Sequence, residues 1–108
     1  MELKVKLVNL TPHTVKLVNE LGVLELYSQG VARVSSTQTE IGRVIGVPVV
    51  KATFGEVTGL PEPVEGTMYV VSALVRGALP DRTDLVSPGD PVRDEAGNVI
   101  GAKSLITN

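Results

Sequence analysis

Turn-forming residues recur along this whole chain, and the apolar stretches between them are too short for a long helix. Eleven glycines and seven prolines are spread as punctuation and never gather into a linker. Between them lie brief runs of valine, leucine, isoleucine and threonine, side chains that suit a pleated, half-buried surface. The expected fold is therefore mostly β: a small antiparallel sandwich or open barrel with at most one short helix, at about 72–79. At 108 residues the chain makes a single β-rich domain, 1–108. A domain of this size buries only about two-thirds of its extended-chain surface. A sizeable ligand site would then be a surface cleft or lie between subunits.

Along the chain, Glu2 to Asn9 alternates, with Leu3, Val5 and Leu7 on one side and Lys4 and Lys6 on the other. That period of two reads as a half-buried strand. Thr14 to Val18 and Val23 to Tyr27 are expected to follow as strands of a meander, joined by the turn at Asn19–Gly22. Val31 to Ser35 reads as a short strand and the polar segment Ser36 to Glu40 as a loop. Ile41 to Gly46 and Val47 to Phe54 are β-branched and apolar, separated by Gly46 and interrupted by Pro48. Gly55 to Pro63 is rich in breakers and suits a loop, or a strand followed by a loop. Thr67 to Leu74 holds the most apolar run and reads as a central strand. Ser72 could instead cap a short helix that Pro80 stops. Leu85–Ser87 and the pair Pro91–Arg93 and Val99–Gly101 read as a strand and a hairpin, with Leu105 and Ile106 closing the last strand.

Composition narrows the chemistry. There is no cysteine, so disulfides, thiolate nucleophiles and cysteine-based metal centres are excluded. The single histidine, His13, cannot build a multi-histidine metal site. Net charge is −2, without the basic excess that binding long nucleic acid usually requires. Only Tyr27, Phe54 and Tyr69 are aromatic, too few for a base-stacking platform. No apolar run is long enough for a membrane helix, and the first residues lack a signal-peptide core, so a cytoplasmic location is expected.

No catalytic constellation emerges, and no cofactor motif. There is no Gly-x-Ser-x-Gly elbow, Walker loop or Gly-x-Gly-x-x-Gly. His13 has no carboxylate or nucleophile at a recognisable spacing, so it reads either as a ligand contact or as a turn residue bonded to local backbone. Backbone amides in Gly55–Gly59 could bind an anion. Arg76, Arg82 and Arg93 stand among Asp81, Asp84, Asp90 and Asp94. They suit either an anion-binding rim or mutual Arg–Asp pairs that fix loops. Asp90, Asp94 and Asn98 lack the spacing of a calcium loop.

Asn9-Leu10-Thr11-Pro12-His13 resembles a motif of small phage and prophage proteins. The likeness continues through Thr53 to Pro61, Tyr69 to Ser72 and Val92 to Gly101. The resemblance implies a phage-linked setting in a bacterial host, and brings no activity with it. Small phage proteins of this kind often act by binding, and some sequester nucleotide signals of bacterial immunity. The expectation is a non-enzymatic, homo-oligomeric protein that captures a small anionic, nucleotide-like ligand. Arg33, Arg76, Arg82 and Arg93 would hold phosphates. His13, Thr53 and Ser72 would add polar contacts, and Phe54 or Tyr69 would cover a base. The alternative is a structural or protein–protein interaction module with no small ligand.

Overall fold

The computed structural model describes residues 2–108, in two mixed four-stranded sheets, one short helix and a long two-stranded arm. The first sheet has the order β1-β6-β7-β10: β1 (Lys6–Asn9), β6 (Thr67–Val70), β7 (Leu85–Pro88) and β10 (Leu105–Thr107). β1, β6 and β7 run parallel, and β10 closes the edge antiparallel to β7. Parallel neighbours need a crossover. Between β6 and β7 it is supplied by α1 (Ala73–Ala78), the expected short helix. Ser72 is its N-cap, its hydroxyl accepting from the Val75 N–H at 3.2 Å.

The second sheet has the order β3-β2-β9-β8: β3 (Gly22–Leu26), β2 (Val15–Asn19), β9 (Val99–Ala102) and β8 (Pro91–Arg93). Here β2–β3 and β8–β9 are hairpins, joined by parallel pairing of β2 with β9. The fold is thus mostly β and sandwich-like, with no closed barrel among the described residues and with mixed rather than wholly antiparallel sheets. The expected opening meander is corrected: β1 leaves its sequence neighbours and pairs with β6, and it begins only at Lys6.

The core is small. Leu10, Ala32, Tyr69, Val71, Val75 and Leu85 form it, with Val8, Val34, Val57, Leu60 and Leu79 packed around. β6 and β7 give it Tyr69 and Leu85, and they also bury Val70 and Val86, as expected of parallel strands covered on both faces. One buried polar residue organises the start of the chain. Asn9, 1% exposed, donates from Nδ2 to the carbonyls of His13 (2.8 Å) and Leu26 (2.7 Å). Its Oδ1 accepts from the N–H and hydroxyl of Thr11, at 2.9 and 2.7 Å. The Asn-Leu-Thr-Pro-His segment is therefore a turn built on one amide, which ties β1 to the end of β3.

The largest departure from expectation lies in the middle of the chain. Ser36–Glu40 is not a loop: it belongs to β4 (Arg33–Val44), which pairs antiparallel along its length with β5 (Val47–Thr58). Pro48 does not interrupt β5, because a two-stranded ribbon leaves an outer edge on each strand where a missing N–H costs nothing. Gly55–Thr58 belongs to the same strand, so no anion-binding loop forms there. At the root, Gly59 has φ +79°, and a Cβ there would collide with the Val31 carbonyl. Only Val34, near the start of β4, and Val57, near the end of β5, reach the core; Ser35 to Glu56 is exposed throughout.

Candidate functional site

The arm is the part of the molecule whose construction the fold does not explain. Its two bulges define its faces. Val34 pairs with Val57 and Ser36 with Phe54, so β5 carries an extra residue and Phe54 shares the face of Val34 and Val57. That face continues through Gln38 and Ala52 to Glu40 and Val50. A second bulge at Ile41 restores Arg43 to the same face, where its Nε lies 3.0 Å from Glu40 Oε1. The opposite face carries Thr37, Thr53, Thr39 and Lys51, then Val49, Val44 and Val47 near the tip.

The tip is a two-residue turn, Ile45-Gly46, with both residues at positive φ (53° and 75°). Such turns favour Asn-Gly, because asparagine tolerates this region and a β-branched side chain does not. Holding Ile45 there costs on the order of 1–2 kcal/mol. Ile45 is also 97% exposed. A hairpin serving only its own fold has no use for a strained isoleucine in water.

At the other end of the arm, Phe54 and α1 enclose an apolar hollow of about 240 Å³, lined by Phe54, Ala73, Leu74, Gly77 and Ala78. Phe54 and Leu74 remain more than half exposed. The whole surface is large for the mass. A compact monomer of 11.4 kDa exposes about 5,800 Å², whereas this chain exposes 7717 Å². Its radius of gyration is 16.8 Å, against about 13 Å for a compact domain of this length.

The candidate ligand residues do not gather around one hollow. Arg82 forks onto Asp84, Nε to Oδ1 and Nη2 to Oδ2 both at 2.8 Å, and Nη2 also donates to the Pro61 carbonyl. The hydrogen bond from Arg82 holds the Asp84 carboxyl below its usual range. Arg76 donates to the Ser87 hydroxyl (2.9 Å) and to Asn108 Oδ1 (3.2 Å). Arg93 donates to the Gly97 carbonyl across its own hairpin. Arg33, at the arm root, makes no ion pair or side-chain hydrogen bond among the described residues, and it sits on the face opposite Phe54. The His13 side chain is exposed, and the hydrogen bonds at this residue go to its carbonyl. Tyr69 is corrected to a core residue, 5% exposed, with no face open to stack on a base.

Thr53 and Phe54 are adjacent on β5 and point to opposite faces, and Ser72 caps the helix beside Phe54. Around α1 some predicted residues do come together: the helix that Ser72 caps carries Arg76 and lies against Phe54, and the Asn108 amide holds the carbonyls of Arg76 and Arg82. A hollow of about 510 Å³, lined by Thr14–Lys16, Pro88, Gly89, Pro91 and Val99–Ala102, contains none of them. Asp94 spends its carboxylate on the N–H groups of Ala96 and Asn98, as a turn residue does.

Sequence reasoning missed Ile45 and Asn108. The side-chain amide of Asn108 gathers the carbonyls of Arg76, Leu79 and Arg82 at 2.9–3.1 Å, at the end of α1. The signal for Ile45 was present as Ile-Gly where a turn would favour Asn-Gly. Among the described residues no helix is long and apolar enough to cross a membrane. No family model matches the chain, and neither the curated proteins nor the solved structures give a significant match.

Proposed function

We propose that this chain is a non-enzymatic interaction module that works by homomeric assembly, with the β4–β5 arm as its binding surface. The observation that carries this reading is the arm itself. It is a 12-residue-per-strand ribbon, exposed beyond its root, with valines, Phe54 and an isoleucine tip in water. Exposed apolar area on this scale marks an interaction surface. The excess over a compact monomer, about 1,900 Å², is ample for a standard interface, which takes about 800 Å² from each partner. The motif resemblance supports a phage-linked setting in the cytoplasm of a bacterial host.

A second reading, capture of a small nucleotide-like anion, draws support from Arg33, whose guanidinium is unpaired among the described residues while Arg82 is tied to Asp84. Because Arg33 and Phe54 occupy opposite faces of the arm, such a ligand would have to lie between copies. Native mass spectrometry of freshly purified protein separates the two readings. Assembly without a retained small molecule is expected. A chain that stays monomeric contradicts the proposal, and an assembly that releases an intact nucleotide on denaturation favours the second reading.

A further inference from the structure

We infer that two copies pack their arms antiparallel, so that Ile45 of each enters the hollow between Phe54 and α1 of the other. The inference rests on the assembly reading above and names its geometry. A two-fold interface requires that if one residue meets another, the second meets the first on the partner. Ile45 and Phe54 stand at the two ends of the arm, and Val49–Val50 lies midway between them in sequence. With the axis at Val50, each tip reaches the other's root without any change in arm length.

The face that would be buried is apolar along β5 and polar along β4, where it carries Ser36, Gln38 and Glu40, the last neutralised by its ion pair with Arg43. Phe54, Ala52 and Val50 line it along β5, and all three are exposed in the single chain. The same face ends against α1, where Val34 and Val57 turn into the core. A ribbon laid along it would run directly into the hollow. The hollow is almost wholly apolar in its lining, Phe54, Ala73, Leu74, Gly77 and Ala78. It suits a branched aliphatic side chain and offers nothing to an anion. Gly77 leaves open space where a Cβ would stand, with no atom within 4 Å, although alanine is the better helix former. The lysine of the arm, Lys51, faces the other way and stays in water.

The strained turn separates this idea from simple exposure of apolar surface. Ile45→Asn relieves the backbone strain at φ 53°, because asparagine tolerates that region. The variant should fold at least as well as the parent under conditions that keep both monomeric. Its dimer should nonetheless weaken by roughly 10²–10⁴-fold, since two buried isoleucines are lost per assembly. A variant that dimerises as tightly as the parent overturns the inference.

Placement is tested by cross-linking, which the cysteine-free background makes unambiguous. In the full chain, Ile45→Cys combined with Gly77→Cys should oxidise to a covalent dimer, while neither single substitution should. Ready cross-linking of Ile45→Cys alone means that the tips meet each other, and refutes the antiparallel seating. A protein that sediments as a dimer but shows no cross-link in the double variant and no response to Ile45→Asn refutes this geometry and leaves the assembly reading standing. A protein that never dimerises removes both.

Discussion

Replacing Asn9 by alanine should be among the most damaging single changes in the molecule, although asparagine is polar and the core is apolar. Asn9 is 1% exposed, and its amide makes four hydrogen bonds, to His13 O, Leu26 O, Thr11 N and Thr11 Oγ1. Each typical bond contributes about 1 kcal/mol net, and a buried partner left unsatisfied costs about 1–3 kcal/mol. Some of the freed groups, Thr11 above all, can reach water, so the loss should come to about 3–4 kcal/mol. For a small domain that is a large share of a total near 5–10 kcal/mol. The assay is urea denaturation of parent and variant at one protein concentration, because assembly makes apparent stability concentration-dependent. The midpoint should fall sharply with the slope unchanged. A loss below about 1 kcal/mol would mean that the turn does not depend on this amide, and the account of the Asn-Leu-Thr-Pro-His segment would be wrong.

Asp84→Asn should cost about 1.5–3 kcal/mol at neutral pH by breaking the fork with Arg82. Because the Asp84 pKa is lowered from 3.8, this stabilisation is complete above that value and fades as pH falls through the depressed folded value. Parallel denaturation series should therefore converge in strong acid; a gap that is constant with pH refutes the pair's role. Gly59→Ala should destabilise by more than the usual glycine-to-alanine change, about 2 kcal/mol or above, since it combines positive φ with a backbone collision at Val31; an unchanged thermal midpoint would contradict the tight arm root. Ser72→Ala should cost about 1 kcal/mol through loss of the cap on α1, read by chemical denaturation, whereas Ser72→Asp should retain most of it.

Short strands, the helix at α1 and the hairpin β8–β9 were legible because each carries its own local signal. Ser72 with Pro80, and the glycine-bearing loop before Val99, place boundaries without tertiary help. Parallel pairing was not legible, because β1 and β6 are joined through long-range contact and nothing local marks it. Ser36–Glu40 misled for a related reason. In an arm with no core beneath it, neither face has to be apolar, so the alternation that identifies a half-buried strand is absent. Its threonines, Thr37 and Thr39, were the remaining hint of strand. The arginines failed to gather because nearby groups, Asp84 for Arg82 and Ser87 for Arg76, satisfy them first.

Sedimentation equilibrium of the unmodified chain across a wide concentration range addresses self-association through the arm without mutation or probe. The account predicts a mass that rises to twice the 11.4 kDa of one chain. A mass that stays at 11.4 kDa at every concentration would leave the ribbon of β4 and β5 without a partner copy and contradict the proposal.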